Sequence, residues 1–328
     1  MPSITRIRRG DADGNEWDLN ALANDAFFSL NDDTSAFDSL IAKLNLKGTG
    51  LTVEDLDAYG YAFLGTNKAD TVIGLADATG VIATGNGSDD ITSGALDHVI
   101  FAGNGHDTAS GGGGNDIIFG ENGKDSLLGN TGNDELHGGN GKDALDGGVG
   151  DDSIGGGNGG DALTGGLGDD SLVGGNGDDE LTGGEGTDEL SGGNDADQFH
   201  FHTTAEFGDT ITDFQATEDQ LVLHVGAEAP DISIGNDDLI VDEGEVVIKT
   251  DALVATGDIQ AEIDLTVNTT GTLFVFLEDQ TDPDPDQAVV YYDADPSTAG
   301  DAVLVATLTN ITTLEQLEAM SASDFMFV

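Results

Sequence analysis

The sequence predicts a mainly β fold in which one short unit is stacked many times over. A small, partly helical region precedes the stack and an antiparallel β region follows it. Three observations predict this. A nine-residue pattern holds its register from Ala102 to His200, eleven copies in 99 residues. Every copy has aspartate at position six and an apolar residue at position eight. The 328 residues include only 14 Phe, 4 Tyr and 1 Trp, so small aliphatic side chains must build the interior.

The repeat comes first, because a fixed period of this length outranks any single motif. Gly174 to Thr182 reads Gly-Gly-Asn-Gly-Asp-Asp-Glu-Leu-Thr, and Gly165 to Val173 reads Gly-Gly-Leu-Gly-Asp-Asp-Ser-Leu-Val. The position-six residues are Asp107, Asp116, Asp125, Asp134, Asp143, Asp152, Asp161, Asp170, Asp179, Asp188 and Asp197. Looser copies reach back to Thr84, and another spans Gly65 to Ile73. A disordered acidic tail needs only the composition, whereas this order needs a structure.

Charge narrows the function. Acidic residues number 64 against 9 basic ones, a formal charge of −55. No basic surface exists to displace counterions from nucleic-acid phosphates. The arginines are Arg6, Arg8 and Arg9, so no guanidinium fork is available later in the chain to grip an anionic substrate. The chain has no cysteine, which removes disulfides, thiolate nucleophiles and the usual structural zinc sites. No stretch reaches the roughly 18 apolar residues of a membrane helix. Gly10-Asp11-Ala12-Asp13 follows the basic start, where a secretory signal peptide needs an apolar run.

The nonapeptide resembles the glycine-rich repeat of the repeats-in-toxin (RTX) family, Gly-Gly-x-Gly-x-Asp-x-apolar-x. That resemblance implies a calcium-bound parallel β-roll with two repeats per turn, six-residue loops and three-residue strands. It also implies one ion between repeats n and n+2, from Asp107 with Asp125 to Asp179 with Asp197. Asp152 would serve Asp134 on one side and Asp170 on the other. Eleven repeats make nine such pairs, hence about nine calcium ions. Asp89 and Asp70 belong to the looser copies, and His98 stands at position six of Ser93 to Phe101, where its site should be lost.

The chemistry agrees. Calcium takes six to eight oxygen ligands, which one aspartate per repeat cannot provide but two stacked loops with their carbonyls can. The carbonyls expected to turn inward include those of Gly112, Gly114, Gly139, Gly141, Gly148, Gly150, Gly157, Gly159, Gly166, Gly168, Gly175, Gly177, Gly184 and Gly186. Glycine at positions one, two and four is expected because such a loop needs dihedrals closed to residues with a Cβ. Asp195 replaces the glycine of the last repeat, so that loop should bend differently. The backbone entropy of ordering nine residues exceeds what one buried aliphatic side chain returns, and neighbouring carboxylates repel. Folding should therefore depend on the ion.

The organisation expected is an N-terminal cap over 1–64, the roll over 65–202 and a C-terminal β-domain over 203–328. In the first region Phe37, Leu40, Ile41 and Leu44 keep helical spacing, and Thr52 with Asp55 marks a second short helix. Gly208 to Phe214 and Asp219 to Leu223 resemble the segment that closes the roll of serralysin-like secreted proteins, with Asp213 and Asp219 as further metal candidates. Strands are expected at Asp238 to Val241, Val246 to Ile248, Thr272 to Phe276, Val289 to Tyr292 and Val303 to Leu308. Thr313 to Met320 is a short helix candidate. The ending Ser323-Asp324-Phe325-Met326-Phe327-Val328 resembles the uncleaved signal of type I secretion substrates, with a last β-strand as the alternative.

Catalytic signatures are missing. No His-Glu-x-x-His and no Gly-x-Ser-x-Gly occurs, and Asp125 follows Lys124 where a P-loop needs Ser or Thr. His200 and His202 alternate on one strand face, either as a transition-metal pair or as ordinary strand side chains. The Met1 start and the export-like tail favour a whole protein over a fragment. The sequence thus points to a secreted, extracellular calcium-binding roll without a catalytic site, folded by calcium after export through a type I translocator. A structural or interaction role at the cell surface or matrix follows, with no nucleic-acid partner and a surface or polysaccharide partner left open. The alternative is an accessory module or small member of a secreted polysaccharide-active or hydrolytic RTX enzyme.

Overall fold

The computed structural model describes residues 61–65, 67–74, 79–216, 218–224 and 303–312, residues 316 and 320, and six further strands. These are Ile7–Arg9, Glu16–Asp18, Val246–Ala255, Thr272–Asp279, Gln287–Asp293 and Phe325–Phe327. The chain divides into two compact units, Met1–Asp161 and Ala162–Val328.

The first unit is a parallel roll with two sheets. One sheet runs Ile7–Arg9, Tyr61–Leu64, Gly80–Asn86, His98–Gly105, Ile117–Gly123, Glu135–Gly141 and Ser153–Asn158. The other runs Glu16–Asp18, Thr71–Ile73, Asp90–Thr92, Thr108–Gly113, Ser126–Thr131 and Ala144–Val149. Successive repeats alternate between the sheets, so partners within a sheet lie two repeats apart. Leu127 pairs with Leu145 and with Ala109. That is the two-repeat turn the nonapeptide implies.

Packing follows from the period. Along a strand, side chains alternate between faces, and the position-eight residue is the one turned inward. Ala109, Ile118, Leu127, Leu136, Leu145 and Ile154 are no more than 2% exposed, one per repeat. Paired segments are longer than the expected three residues, commonly six or seven. The loops supply the difference: Gly139 pairs with Glu121 and Asn140 with Asn122, because stacked loops of one sequence present matching donors and acceptors.

Two side-chain ladders mark the first unit. Position-three asparagines bond along the roll, Nδ2 of each donating to Oδ1 of the one before. Asn158 bonds Asn140 at 2.8 Å, Asn140 bonds Asn122 at 2.8 Å and Asn122 bonds Asn104 at 3.0 Å. At position nine, Phe101 stacks on Phe119 with centroids 5.1 Å apart, and Phe119 on His137 at 4.7 Å.

The expected N-terminal cap contributes rungs of its own. Ile7–Arg9 pairs in parallel with Ala62–Leu64, and Glu16–Asp18 with Thr71–Ile73. The helices expected around Phe37 to Leu44 and Thr52 to Asp55 lie outside the described residues.

The second unit repeats the two-sheet plan and then changes it. Ala162–Leu167, Glu180–Glu185, Gln198–Phe201, Gln220–Leu223 and Phe325–Phe327 form one sheet. The other contains Ser171–Asn176, Glu189–Asn194, Asp209–Ile211, Val303–Leu308, Gln287–Asp293, Thr272–Asp279 and Val246–Ala255. Leu163, Leu172, Leu181, Leu190 and Phe199 fill its interior. Past residue 202 the pairing stays parallel through Asp209–Ile211 and Gln220–Leu223. Antiparallel pairing is confined, among the described residues, to Thr272–Asp279, Gln287–Asp293 and Val303–Leu308. Phe325–Phe327 pairs in parallel with Leu221–Leu223, and Phe325 is buried. The expected strand Asp238 to Val241 lies outside the described residues, as does most of Thr313 to Met320. No described helix is long and apolar enough to cross a membrane.

Candidate metal centre

The stacking brings the position-six aspartates into two rows. In the first unit one row holds Asp70, Asp89, Asp107, Asp125, Asp143 and Asp161. Each N–H donates to Oδ1 of the next member, as from Asp107 to Asp125 at 2.8 Å and from Asp125 to Asp143 at 2.8 Å. The opposite row holds His98, Asp116, Asp134 and Asp152, joined the same way at 2.7 Å. In the second unit Asp179 bonds Asp197 and Asp197 bonds Asp219, while Asp170 bonds Asp188 and Asp188 bonds Asp209. All these aspartates are at most 3% exposed.

One oxygen of each accepting carboxylate thus belongs to the backbone, and the other decides the chemistry. Oδ2 of Asp107, Asp116, Asp125, Asp134, Asp143 and Asp197 is buried and accepts no hydrogen bond. A buried anionic oxygen left unpaired is expensive and calls for a cation or a proton. Burial raises Asp125 to a pKa of about 7, assisted by the charges of Asp107 and Asp143. Asp197 is raised to about 7 and Asp89, Asp116 and Asp152 to about 6, burial again being the largest cause.

Glycine frames these oxygens in two ways. At positions two and four the backbone is left-handed. Gly112, Gly139, Gly148, Gly157, Gly166, Gly175 and Gly184 have φ between 92° and 118°, and Gly114, Gly141, Gly150, Gly159, Gly168, Gly177 and Gly186 between 93° and 157°. Glu121 and Asn130 adopt φ of 71° and 78° at position two. Position one corrects the dihedral expectation. Gly111, Gly120 and Gly138 have no positive φ; glycine is needed there for space. A methyl at Gly120 would lie 2.8 Å from Asp125 Oδ2 and 2.6 Å from the Gly138 carbonyl oxygen. At position four, a methyl on Gly123 would strike the Gly105 carbonyl oxygen and lie 2.8 Å from Asp125 Oδ1. Carbonyl and carboxylate oxygens therefore lie close together where a side chain at position one or four would stand. An all-oxygen, anionic and unsatisfied donor set suits calcium.

The remaining expected residues separate. His98 fills the place of a carboxylate, with Nδ1 3.3 Å from Asp116 Oδ1 and both side chains fully buried. Asp195 takes φ of 78°, left-handed like the position-four glycines but below their 93° to 158°. Asp219 stands in the row, but its Oδ2 accepts the Gln215 N–H at 2.7 Å. Asp213 stands outside both rows. Its carboxylate accepts bonds from Ser191 Oγ and the N–H groups of Gly192 and Gly193, which tie down the last loop. Asp209 is an addition that the nonapeptide count does not supply. It continues the second row and is pushed up to about 8 by burial and by Asp188. Its signal is the short pattern Asp209-Thr-Ile211, which repeats the spacing of Asp188-Glu-Leu190.

The sequence profile described as the RTX calcium-binding nonapeptide repeat (4 copies) matches residues 99–127, 119–154, 128–163 and 164–199. Residues 99–199 are RTX calcium-binding repeats. No curated protein matches the sequence. Among solved structures 24 chains match. One is the solution structure of the AlgE6R3 subunit from the Azotobacter vinelandii mannuronan C5-epimerase. It is 22% identical, over 58% of this chain and 78% of that chain, with a TM-score of 0.20. In the RTX segment Asp107 through Asp197 would hold calcium together with the loop carbonyls. The ion would supply the positive charge that the buried Oδ2 atoms lack.

Proposed function

We propose that this protein is a secreted calcium-binding β-roll whose folding is triggered by extracellular calcium after type I export. It would carry no catalytic site and act structurally, or as an interaction surface, at the cell surface or in the matrix. The observation that carries the reading is the set of buried Oδ2 atoms on Asp107, Asp116, Asp125, Asp134, Asp143 and Asp197 that accept no hydrogen bond, because these oppose folding until a cation neutralises them. At the sub-micromolar calcium of a cytosol such sites stay empty, whereas millimolar calcium fills sites of the extracellular class. A chain held unfolded in this way is fit to pass a translocator. About nine ions are expected, one for each pair of repeats two apart from Asp107 to Asp197.

The test is a calcium titration of the EDTA-treated chain, followed by circular dichroism and light scattering. β-signal should rise cooperatively in the high micromolar to millimolar range, and magnesium should not substitute, since it demands small octahedral shells. An EDTA-treated sample with the spectrum of the calcium form would refute the reading. A panel of polysaccharide and hydrolase substrates, with and without calcium, should give no turnover.

A further inference from the structure

Three histidines of the second unit lie outside the calcium rows. His200 lies on the strand Gln198–Phe201 and His202 follows it, so the two side chains share one face. The neighbouring strand pairs Val222 with His200 and Leu223 with Phe201, and the His224 N–H donates to the Phe201 carbonyl at 2.9 Å. This pairing sets His224 beside His202, where the rings stack with centroids 4.0 Å apart. His200 Nδ1 lies 2.9 Å from His224 Nε2. One ring nitrogen from each of the three lies within 4.8 Å of the others.

We propose that His200, His202 and His224 form a binding site for a divalent transition metal ion of the zinc, copper or nickel kind, separate from the calcium rows. Imidazole nitrogen suits these ions and calcium does not seek it. Tetrahedral zinc with bonds of roughly 2.0–2.1 Å places its ligand atoms about 3.3 Å apart. The 2.9 Å between His200 and His224 opens slightly to reach that value, and the wider separations, at most 4.8 Å, close by side-chain rotation. Three protein ligands leave a fourth position for water or a further group. The rings are half-buried, so an ion has a route in.

Electrostatics favour a neutral imidazole at His200. Burial pushes His200 down to about 4, and the charges of His224 and His202 push the same way. Nε2 of His200 is buried and has no hydrogen-bond partner. Glu206 supplies an outer partner. Its Oε2 accepts the His202 N–H at 2.6 Å and lies 3.5 Å from His202 Nδ1, which favours a proton on Nδ1 and leaves Nε2 for the ion. The Thr204–Glu206 turn that carries it is anchored by the Thr203 side chain, which accepts the Ala205 N–H.

The experiment uses the full chain in saturating calcium, titrated with cobalt(II) and then with zinc(II). One equivalent of cobalt should produce the visible absorption of a four-coordinate nitrogen site, and zinc should abolish it. His224→Gln and His202→Ala should each weaken zinc binding roughly 100-fold, and Glu206→Gln about tenfold, with the calcium content and β-signal unchanged. His202→Ala is the safer variant, because that side chain is 44% exposed. His137→Ala, in the other unit, should bind as the unaltered chain does. Absence of the cobalt band from the calcium-loaded chain, or equal zinc affinity in both histidine variants and the unaltered protein, would overturn the proposal. The second outcome would mean that surface carboxylates hold the zinc.

Discussion

Replacing Asp125 with asparagine separates the two forces that act on the RTX rows. The amide keeps an oxygen for the Asp107 N–H, now bonded at 2.8 Å, and removes the charge from Oδ2. Asp125 is raised from 3.8 to about 7 by burial, then by Asp107 and Asp143. With about 1.4 kcal/mol for each tenfold change in proton affinity, its ionisation opposes the metal-free fold by about 4 kcal/mol at most near pH 7.5. The neutral amide of Asp125→Asn carries no such penalty, so the variant should start to fold at lower calcium. Asp125 also stands between Asp107 and Asp143, so two ions should be lost. Each lost ion removes about 1.4 kcal/mol of stabilisation per tenfold rise in calcium above its dissociation constant. The variant's advantage therefore shrinks by about 2.7 kcal/mol per decade and reverses roughly 30-fold above that constant. Circular dichroism during a calcium titration should show an earlier but shallower transition, and native mass spectrometry should count two fewer ions. Asp90→Asn, at an exposed strand position, serves as the control. Unchanged steepness together with an unchanged ion count would refute the pairing of stacked carboxylates.

Acid should partly replace calcium. Asp116, Asp125, Asp197 and Asp209 have folded values of about 6, 7, 7 and 8 against 3.8 unfolded, so the folded chain binds more protons between these limits. Their stabilising contribution is complete below about pH 4 and is lost as pH rises through the folded values. In EDTA, β-signal should grow from pH 8 to pH 5; a flat or falling signal would refute the assignment. Gly120→Ala should lower the stability of the calcium form by about 1–3 kcal/mol, because its Cβ meets the Gly138 carbonyl and Asp125 Oδ2. Gly155→Ala meets nothing closer than His137 Nδ1 at 3.7 Å and should change stability by less than about 1 kcal/mol in denaturant unfolding. Deleting Phe325 to Val328 removes the strand beside Leu221–Leu223. Export through a type I translocator should cease while the ion count between Asp107 and Asp161 holds, and normal levels in the medium would show the tail to be only a strand.

What the sequence made legible is what the period controls. Position eight named the interior side chains one by one, from Ala109 to Phe199, because a fixed repeat returns each residue to the same face. The rows of Asp107 to Asp197 followed from the same count. The count fails where the step lengthens. Asp188 to Asp209 is 21 residues and His202 to His224 is 22, so neither Asp209 nor His224 stands in a nonapeptide register. Strand pairing, which depends on backbone bonds and not on spacing, carries both into place. Position one escapes the count for another reason: sequence shows that glycine recurs but not whether dihedral or space demands it, and only the nearness of Asp125 Oδ2 to Gly120 decides.

The asparagine ladder and the carboxylate row present the same groups at every turn, so they hold neighbours together without telling one turn from the next. A strand displaced by 18 residues would find an equivalent asparagine, an equivalent aspartate and an equivalent aliphatic rung. The stack of Phe101, Phe119 and His137 breaks that sameness, because the position-nine residue one step further on is Gly155. These three rings act as a registration mark. They tell a growing array where those three turns belong, and a chain without them would be free to assemble out of step.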